Sequence, residues 1–174
     1  DATRYTERAL AVWQRKNDVY RQALNYLNLG VSLWPLGRWA EAAGYWEKAL
    51  QISNDIHYAT GQMQSNINLG SYSLRLGDTA RAGEHFRAAL HLAEGAGHPY
   101  YTARALLRLG EQHRLDGDLT GSVSLLTRAR ESLEGIGHAV ALSEVLWNLA
   151  ETLLAAGDLD EAGATAERAL ALVE

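Results

Sequence analysis

The chain repeats itself every 40 residues without an insertion or a deletion. On that period small and large residues fall into fixed columns. The clearest columns hold Leu29, Leu69, Leu109 and Leu149, and directly after them Gly30, Gly70, Gly110 and Ala150. Other columns hold Gly37, Gly77, Gly117 and Gly157; Ala42, Ala82, Ser122 and Ala162; and Ala49, Ala89, Ala129 and Ala169. A register this strict predicts an array of stacked, similar units.

The apolar pattern within each repeat predicts two helices. Apolar residues recur at spacings of three and four from Tyr58 to Leu76, and again from Thr79 to Ala93. Gly77 and Gly97 follow these segments, and glycine often ends a helix in the left-handed conformation. No segment alternates with period two, so we expect no strands.

Aspartates after the turn glycines are expected to cap the second helices. Asp78, Asp118 and Asp158 can each accept hydrogen bonds from the free amides of a first helical turn. Asp158 to Glu161 also has the spacing of a reciprocal capping box. Arg38 stands at this position in the first repeat, so its second helix should begin without a cap.

The small columns indicate where helices come close together. Glycine inside a helix costs about 0.5–1 kcal/mol relative to alanine, which is tolerable where a crossing helix must approach. We expect large residues to fill the remaining space, and Trp46, Phe86 and Leu126 share one such column. Ala166 stands at that position in the fourth repeat, which predicts looser packing there.

The pattern Leu29-Gly30, Gly37, Ala42, Trp46 and Ala49-Leu50 resembles the tetratricopeptide repeat. The resemblance implies an all-α, right-handed superhelical solenoid of antiparallel helix pairs. The usual period is about 34 residues, so the longer period adds about 9 Å of helix to each repeat. Longer repeats of this kind resemble three groups: sensor arrays of bacterial maltose-type transcriptional activators, related antibiotic regulators, and Leu-Gly-Asn adaptors.

The register divides the chain into an orphan second helix at 1–16 and four repeats, about nine helices in one array. The repeats cover 17–56, 57–96, 97–136 and 137–174. Because the chain starts at Asp1 and Met63 is its only methionine, we expect it to be part of a longer protein. Leu170, Leu172 and Val173 would lack a packing neighbour, so end-to-end self-association is expected.

Composition disfavours several function classes. The formal net charge is −5, whereas nucleic-acid-binding domains are usually basic. There is no cysteine, no long apolar run and no paired-histidine motif, so we expect no thiolate or metal site and no membrane partner. No nucleophile elbow or phosphate loop occurs, and we therefore predict a protein without enzymatic activity or a cofactor. A cytoplasmic location is the corresponding expectation.

One stripe of the first helices should face the concave groove of such an array. Asn28, Asn68 and Asn148 share a column in it. Asparagine is a poor helix former, and its amide can both donate to and accept from a peptide backbone. In the resembling peptide-binding arrays, asparagines at this place hold an extended peptide. Alternatively, these side chains cap or bridge neighbouring helices, or are solvated.

Arginines form a second candidate feature of the groove. Arg104, Arg108 and Arg114 lie on one predicted helix, and Arg75 could join them to bind a carboxylate. The alternative is that Arg108–Glu111 and Arg104–Glu144 neutralise each other. The remaining candidate groove residues are Val31, Ser71, Trp147 and Glu151. Trp34, Leu24 and Leu27 either add an apolar patch to this groove or pack beneath a preceding helix.

The function predicted from sequence is a scaffold that binds a protein, a peptide or another domain of its own chain. It would be the interaction or sensor segment of a larger regulatory protein. The alternative is an allosteric sensor of a small molecule in a multidomain transcriptional activator.

Overall fold

The computed structural model describes residues 2–173, and side chains at 5, 6 and 8–173. Asp1 and Glu174, which the predicted repeats include, lie outside this range. The described residues form nine α-helices and no strand. The helices are α1 (Ala2–Arg15), α2 (Val19–Leu33), α3 (Trp39–Asp55), α4 (Ala59–Arg75), α5 (Thr79–Gly95), α6 (Pro99–Leu115), α7 (Leu119–Glu134), α8 (Ala139–Ala156) and α9 (Leu159–Ala171).

The chain forms two compact units, residues 1–92 and 93–174. In the first unit α2 packs against α1 and α3, and α4 contacts both α3 and α2. In the second unit α7 packs against α6 and α8, α8 packs against α9, and α8 also contacts α6. Within each unit, therefore, the first helix of a hairpin covers both helices of the hairpin before it.

Large side chains of the second helices pack directly on small residues of the first helices. A Cβ atom built on Gly30 would overlap the indole of Trp46, and one built on Gly70 would overlap the ring of Phe86. At Gly110 the same atom would lie 2.8 Å from Cγ of Leu126. The prediction that the glycine column marks close helix contacts is confirmed, because no larger residue fits beneath these side chains.

The turns between helices use the left-handed backbone conformation at one fixed position. Gly37, Gly77, Gly117 and Gly157 have φ values between 75° and 88°, as predicted from their column. Between hairpins the equivalent position holds Gly97 and Gly137, but also Asn17 and His57 with φ of 55° and 53°. The geometry of the repeat therefore imposes this conformation even where the residue is not glycine.

Two of the three predicted aspartate caps are present. The carboxylate of Asp78 accepts from the Arg81 amide at 3.0 Å, and that of Asp118 accepts from the Gly121 amide at 2.9 Å. The predicted cap at Asp158 is wrong, since its side chain accepts no capping hydrogen bond. Its backbone angles match those of Asp118, so the backbone conformation does not account for the difference.

A histidine side chain also contacts the carboxylate that caps α7. Nδ1 of His113 lies 2.8 Å from Oδ2 of Asp118. The backbone hydrogen bond from Gly121 and the contact with His113 hold the pKa of Asp118 below its usual value. Without such a carboxylate, Arg38 makes no cap for α3 and pairs instead with Glu41 at 2.6 Å.

A proline shortens the first hairpin. The segment Trp34–Leu36 is a 3-10 turn, and α2 ends at Leu33, whereas α4 continues to Arg75. Pro35 lacks the amide hydrogen that would continue the hydrogen bonds of α2, although Trp34 before it keeps α-helical backbone angles. The end of α2 therefore tightens into a 3-10 turn.

The helix α8 is long and apolar enough, by length and composition, to cross a membrane. Core helices of folded domains pass the same test. Here Leu142, Val145, Leu146 and Leu149 are buried in the second unit, and this accounts for much of its apolar character.

Substitution of Gly70 by alanine tests the close helix contact. The added methyl group overlaps the rigid ring of Phe86, so Gly70→Ala should lower the free energy of unfolding by about 1–3 kcal/mol. Gly44→Ala is the control, because a Cβ there meets no atom within 4 Å and alanine should stabilise the helix by about 0.5–1 kcal/mol. Urea unfolding measures both, and a Gly70→Ala chain as stable as the parent would contradict the packing.

Candidate functional site

The candidate site is the exposed face of the first helices, which we call the first-helix stripe. In the first unit it contains Asn28 and Val31 on α2, and Asn68, Ser71 and Arg75 on α4. In the second unit it contains Arg104, Arg108, Glu111 and Arg114 on α6, and Trp147, Asn148 and Glu151 on α8.

Helical periodicity explains why this stripe is accessible on α2. Leu27 and Leu33 are both 1% exposed and belong to the core with Trp46. Asn28 lies about 100° around the helix from Leu27 and about 140° from Leu33 and is exposed, and Val31, about 160° from Leu33, is 49% exposed. The expected apolar patch of Trp34, Leu24 and Leu27 is wrong for Leu27, which is buried, while Trp34 packs against the Trp46 ring at 5.4 Å.

The three asparagines of the stripe have different surroundings. Asn28 is exposed. Asn148 is half-buried, and its amide donates to the Glu144 carbonyl of its own helix at 2.9 Å. Asn68 is also half-buried, but its Nδ2 lies out of water without a hydrogen-bond partner. At this one position of the repeat, therefore, Asn28 is solvated, Asn148 is bonded to its own helix, and Asn68 has an unpaired amide.

Arg108 is the centre of an ion-pair network in the second unit. It lies 2.7 Å from Glu111 on its own helix and 3.2 Å from Glu144 on α8. Burial opposes the charged guanidinium, but the carboxylates of Glu111 and Glu144 outweigh it and raise the pKa of Arg108 above its usual value. Arg108 is therefore a cation already neutralised within the unit, and it ties α6 to α8.

The other arginines of the stripe are also engaged, though not all as expected. Arg114 pairs with Glu151 at 3.3 Å. The expected Arg104–Glu144 pair is wrong: Glu144 reaches Arg108, and Arg104 lies 5.8 Å from the centre of the Tyr100 ring. In the first unit, Arg75 stacks on Trp39 at 3.4 Å, a cation–π contact.

The histidines take structural positions. Nδ1 of His138 accepts from the Ala141 amide at 3.3 Å and caps the start of α8. The equivalent His98 makes no such bond, and its Nδ1 is buried without a partner. His85 lies 3.0 Å from Oδ1 of Asn66, and burial lowers its pKa. Among the side chains that the structure describes, no three acidic or histidine groups could hold a metal ion.

A cleft between α8 and α9 is the feature that the candidate residues from sequence largely missed. Trp147 borders it, together with Leu154, Leu159 and Ala166. The sequence did contain a signal, because Ala166 departs from the column of Trp46, Phe86 and Leu126. A missing large side chain leaves space that the neighbouring residues only partly close.

Comparison with known proteins places the repeats in context. A tetratricopeptide repeat model matches residues 20–95 and 101–174. No curated protein sequence matches the chain. The crystal structure of BtubC (BKLC) from P. vanneervenii is similar with a TM-score of 0.81 and 24% identity, covering 96% of this chain and 70% of that one.

Two further solved structures share the fold. A kinesin-light-chain-like protein of Podosopora anserina with nearly identical TPR-like repeats has a TM-score of 0.70 and 16% identity, covering 98% of this chain and 84% of that one. MamA has a TM-score of 0.64 and 16% identity, covering 98% and 85%. At these identities the likeness concerns the fold, and it confirms the all-α class of tetratricopeptide-like helix pairs.

Replacement of Arg108 tests whether this arginine is structural. Arg108→Met leaves Glu111, whose side chain is 19% exposed, without its cation, so the free energy of unfolding should fall by about 1.5–3 kcal/mol. The control is Arg128→Met, which breaks a pair with Glu94 between half-exposed side chains and should cost at most about 1 kcal/mol. Urea unfolding compares the two, and an equally small loss for Arg108→Met would refute the structural role.

Proposed function

The chain belongs to the tetratricopeptide repeat family, and from this premise we propose that it is a non-catalytic scaffold that binds a protein or peptide partner through the first-helix stripe. The stripe exposes amides, hydroxyls and apolar groups along consecutive first helices. Such a surface can pair with the backbone of an extended segment and contact its side chains.

Asn68 carries this proposal. A buried amide donor without a partner costs about 1–3 kcal/mol, and such groups are rare in folded proteins. Asn148, at the same place in the repeat, satisfies its amide within its own helix, whereas Asn68 does not. A carbonyl oxygen of a bound peptide would supply the missing acceptor once the side chain rotates toward the surface.

Arg104 supplies the charge preference of the proposed site. Among the side chains that the structure describes, no carboxylate lies within ion-pair distance of Arg104, whereas Arg108 and Arg114 are paired with glutamates. A bound segment with an acidic side chain opposite Arg104 would gain a charge-assisted hydrogen bond. We therefore expect partners of the second unit to carry an aspartate or glutamate.

The setting of this scaffold is a further part of the proposal. The 40-residue period resembles the arrays of maltose-type regulators, which supports an interaction or sensor segment of a cytoplasmic regulatory protein. The same resemblance supports the second candidate, a small-molecule-responsive sensor in a transcriptional activator. A nucleotide-binding switch domain or a winged helix in the flanking gene sequence would favour the regulator.

Peptides selected from a displayed random library against this chain test the stripe. Asn68→Ala with Asn28→Ala should weaken a selected peptide by about five- to tenfold per lost hydrogen bond. The melting temperature should not fall, because the buried donor that Asn68 loses has no partner. Asn148→Ala is the matched control and should change affinity less than twofold (about 0.4 kcal/mol or less), since its donor is already used. Equal affinities for all three chains would refute binding through the asparagines.

A further inference from the structure

The fourth hairpin, α8 with α9, lacks the large side chain that closes the other hairpins. Trp46, Phe86 and Leu126 are at most 2% exposed and cover a glycine of the first helix. In the fourth hairpin this pair is replaced by Ala150 and Ala166. A cleft of about 290 Å³ takes the place of the large side chain.

The walls of the cleft are almost entirely apolar. It is lined by Trp147, Ala150, Glu151, Leu154, Leu159, Ala162, Gly163 and Ala166. A second depression adjoins it at Trp147 and extends along Val140, Leu170 and Val173. Together they form one surface, which we call the α8–α9 face.

The α8–α9 face corresponds to surfaces that are covered by a helix elsewhere in the chain. Leu27 and Leu107, at the position of Trp147 in earlier repeats, are 1% and 2% exposed, whereas Trp147 is 48% exposed. In the first unit α4 contacts both α2 and α3, and in the second unit α8 contacts both α6 and α7. The α8–α9 face is therefore equivalent to the surfaces of earlier hairpins on which a following helix packs.

Acidic residues lie on both sides of the face, and those of α9 have no ion pair among the described side chains. On α8, Glu144 and Glu151 line the two depressions and are about half-exposed, but they pair with Arg108 and Arg114 of α6. On α9, helical spacing places Asp160 and Glu167 beside the stripe of Leu159, Gly163, Ala166 and Leu170. Arg168 is the only basic residue from 139 to 174, and it pairs with Glu134 of α7 at 2.8 Å.

We propose that the α8–α9 face binds a cationic amphipathic helix that inserts one bulky apolar side chain into the space left by Ala166. The cleft accommodates that side chain, and the surrounding apolar surface packs against the apolar face of the helix. The acidic residues beside the face attract the basic side chains that flank the apolar face of the helix. Two copies of the chain meeting through this face would bring two acidic borders together, so a second copy is a poorer occupant. The face shares Trp147, Asn148 and Glu151 with the first-helix stripe, whereas Asn28 and Asn68 belong to the first unit.

A model peptide of about the length of α8 provides the probe. It consists of leucine and lysine, with leucine at positions i, i+3, i+4 and i+7 and one central tryptophan on the apolar face. Two peptides of equal length serve as references: one with the same composition in scrambled order, and one with glutamate in place of lysine. Fluorescence anisotropy measures binding to the intact chain at low and at high salt.

Variants of the chain locate the site. Ala166→Phe should fill the cleft from within, as Phe86 does in the second repeat, and should weaken the amphipathic peptide by at least about tenfold. Ala164→Phe adds the same ring on the far side of α9 and should change affinity by less than about twofold. Leu154→Ser changes a side chain that is 60% exposed, so it should fold normally and weaken binding several-fold.

Further controls separate this site from other interpretations. Asp160→Asn with Glu167→Gln should weaken binding at low salt and reduce its salt dependence. Asn68→Ala should leave it unchanged, so that failure of the first-helix stripe and failure of this site can be told apart. Thermal melting shows whether Ala166→Phe folds; because Ala150 stands where Gly70 lies beneath Phe86, its midpoint should lie below that of the parent chain, whereas Leu154→Ser should melt like the parent.

Three outcomes would overturn the proposal. One is an unchanged affinity in both Ala166→Phe and Leu154→Ser. Another is equal binding of the scrambled or the glutamate peptide, which would indicate non-specific attraction or adhesion. The third is a concentration-dependent dimer of the chain alone, seen by sedimentation velocity and abolished by Ala166→Phe, which would assign the face to a second copy.

Discussion

The packing of one large side chain on one small residue holds the first three hairpins of this protein together. Trp46 on Gly30 and Phe86 on Gly70 use rigid aromatic rings, and Leu126 on Gly110 uses a flexible aliphatic group. The small residue lets two helices approach, and the large one fills the space between them. Because this contact recurs with the 40-residue period, it sets the register in which all other side chains are presented.

The polar side chains of the first-helix stripe divide into those held in ion pairs and those available to a partner. Where two first helices pack side by side in the second unit, Arg108 and Arg114 are drawn into ion pairs with Glu144 and Glu151. These pairs join α6 to α8 and leave less charge for a ligand. In the described structure the side chains of Asn28, Asn68 and Arg104 form neither an ion pair nor a hydrogen bond, and they are where a bound segment would gain most.

The periodic features could be predicted from the sequence, whereas individual side-chain contacts could not. Helix positions, turn conformations and the Gly30–Trp46 type of contact follow from columns, because backbone register and side-chain volume repeat. Individual side-chain contacts depend on the local surroundings of each residue. Examples are the pairing of Glu144 with Arg108 instead of Arg104, the missing cap at Asp158, and the different hydrogen bonding of Asn68 and Asn148. Residues at equivalent positions make different side-chain contacts because their neighbours differ. The repeat pattern of the sequence does not predict these differences.

Leu126→Ala tests the central claim most directly, because it removes the large side chain that covers Gly110 in the third hairpin. If the large-on-small contact holds this hairpin together, the free energy of unfolding measured in urea should fall by about 2–5 kcal/mol. A loss below about 0.5 kcal/mol, within the range of an ordinary surface substitution, would show that the hairpins are held by other contacts and would contradict the account.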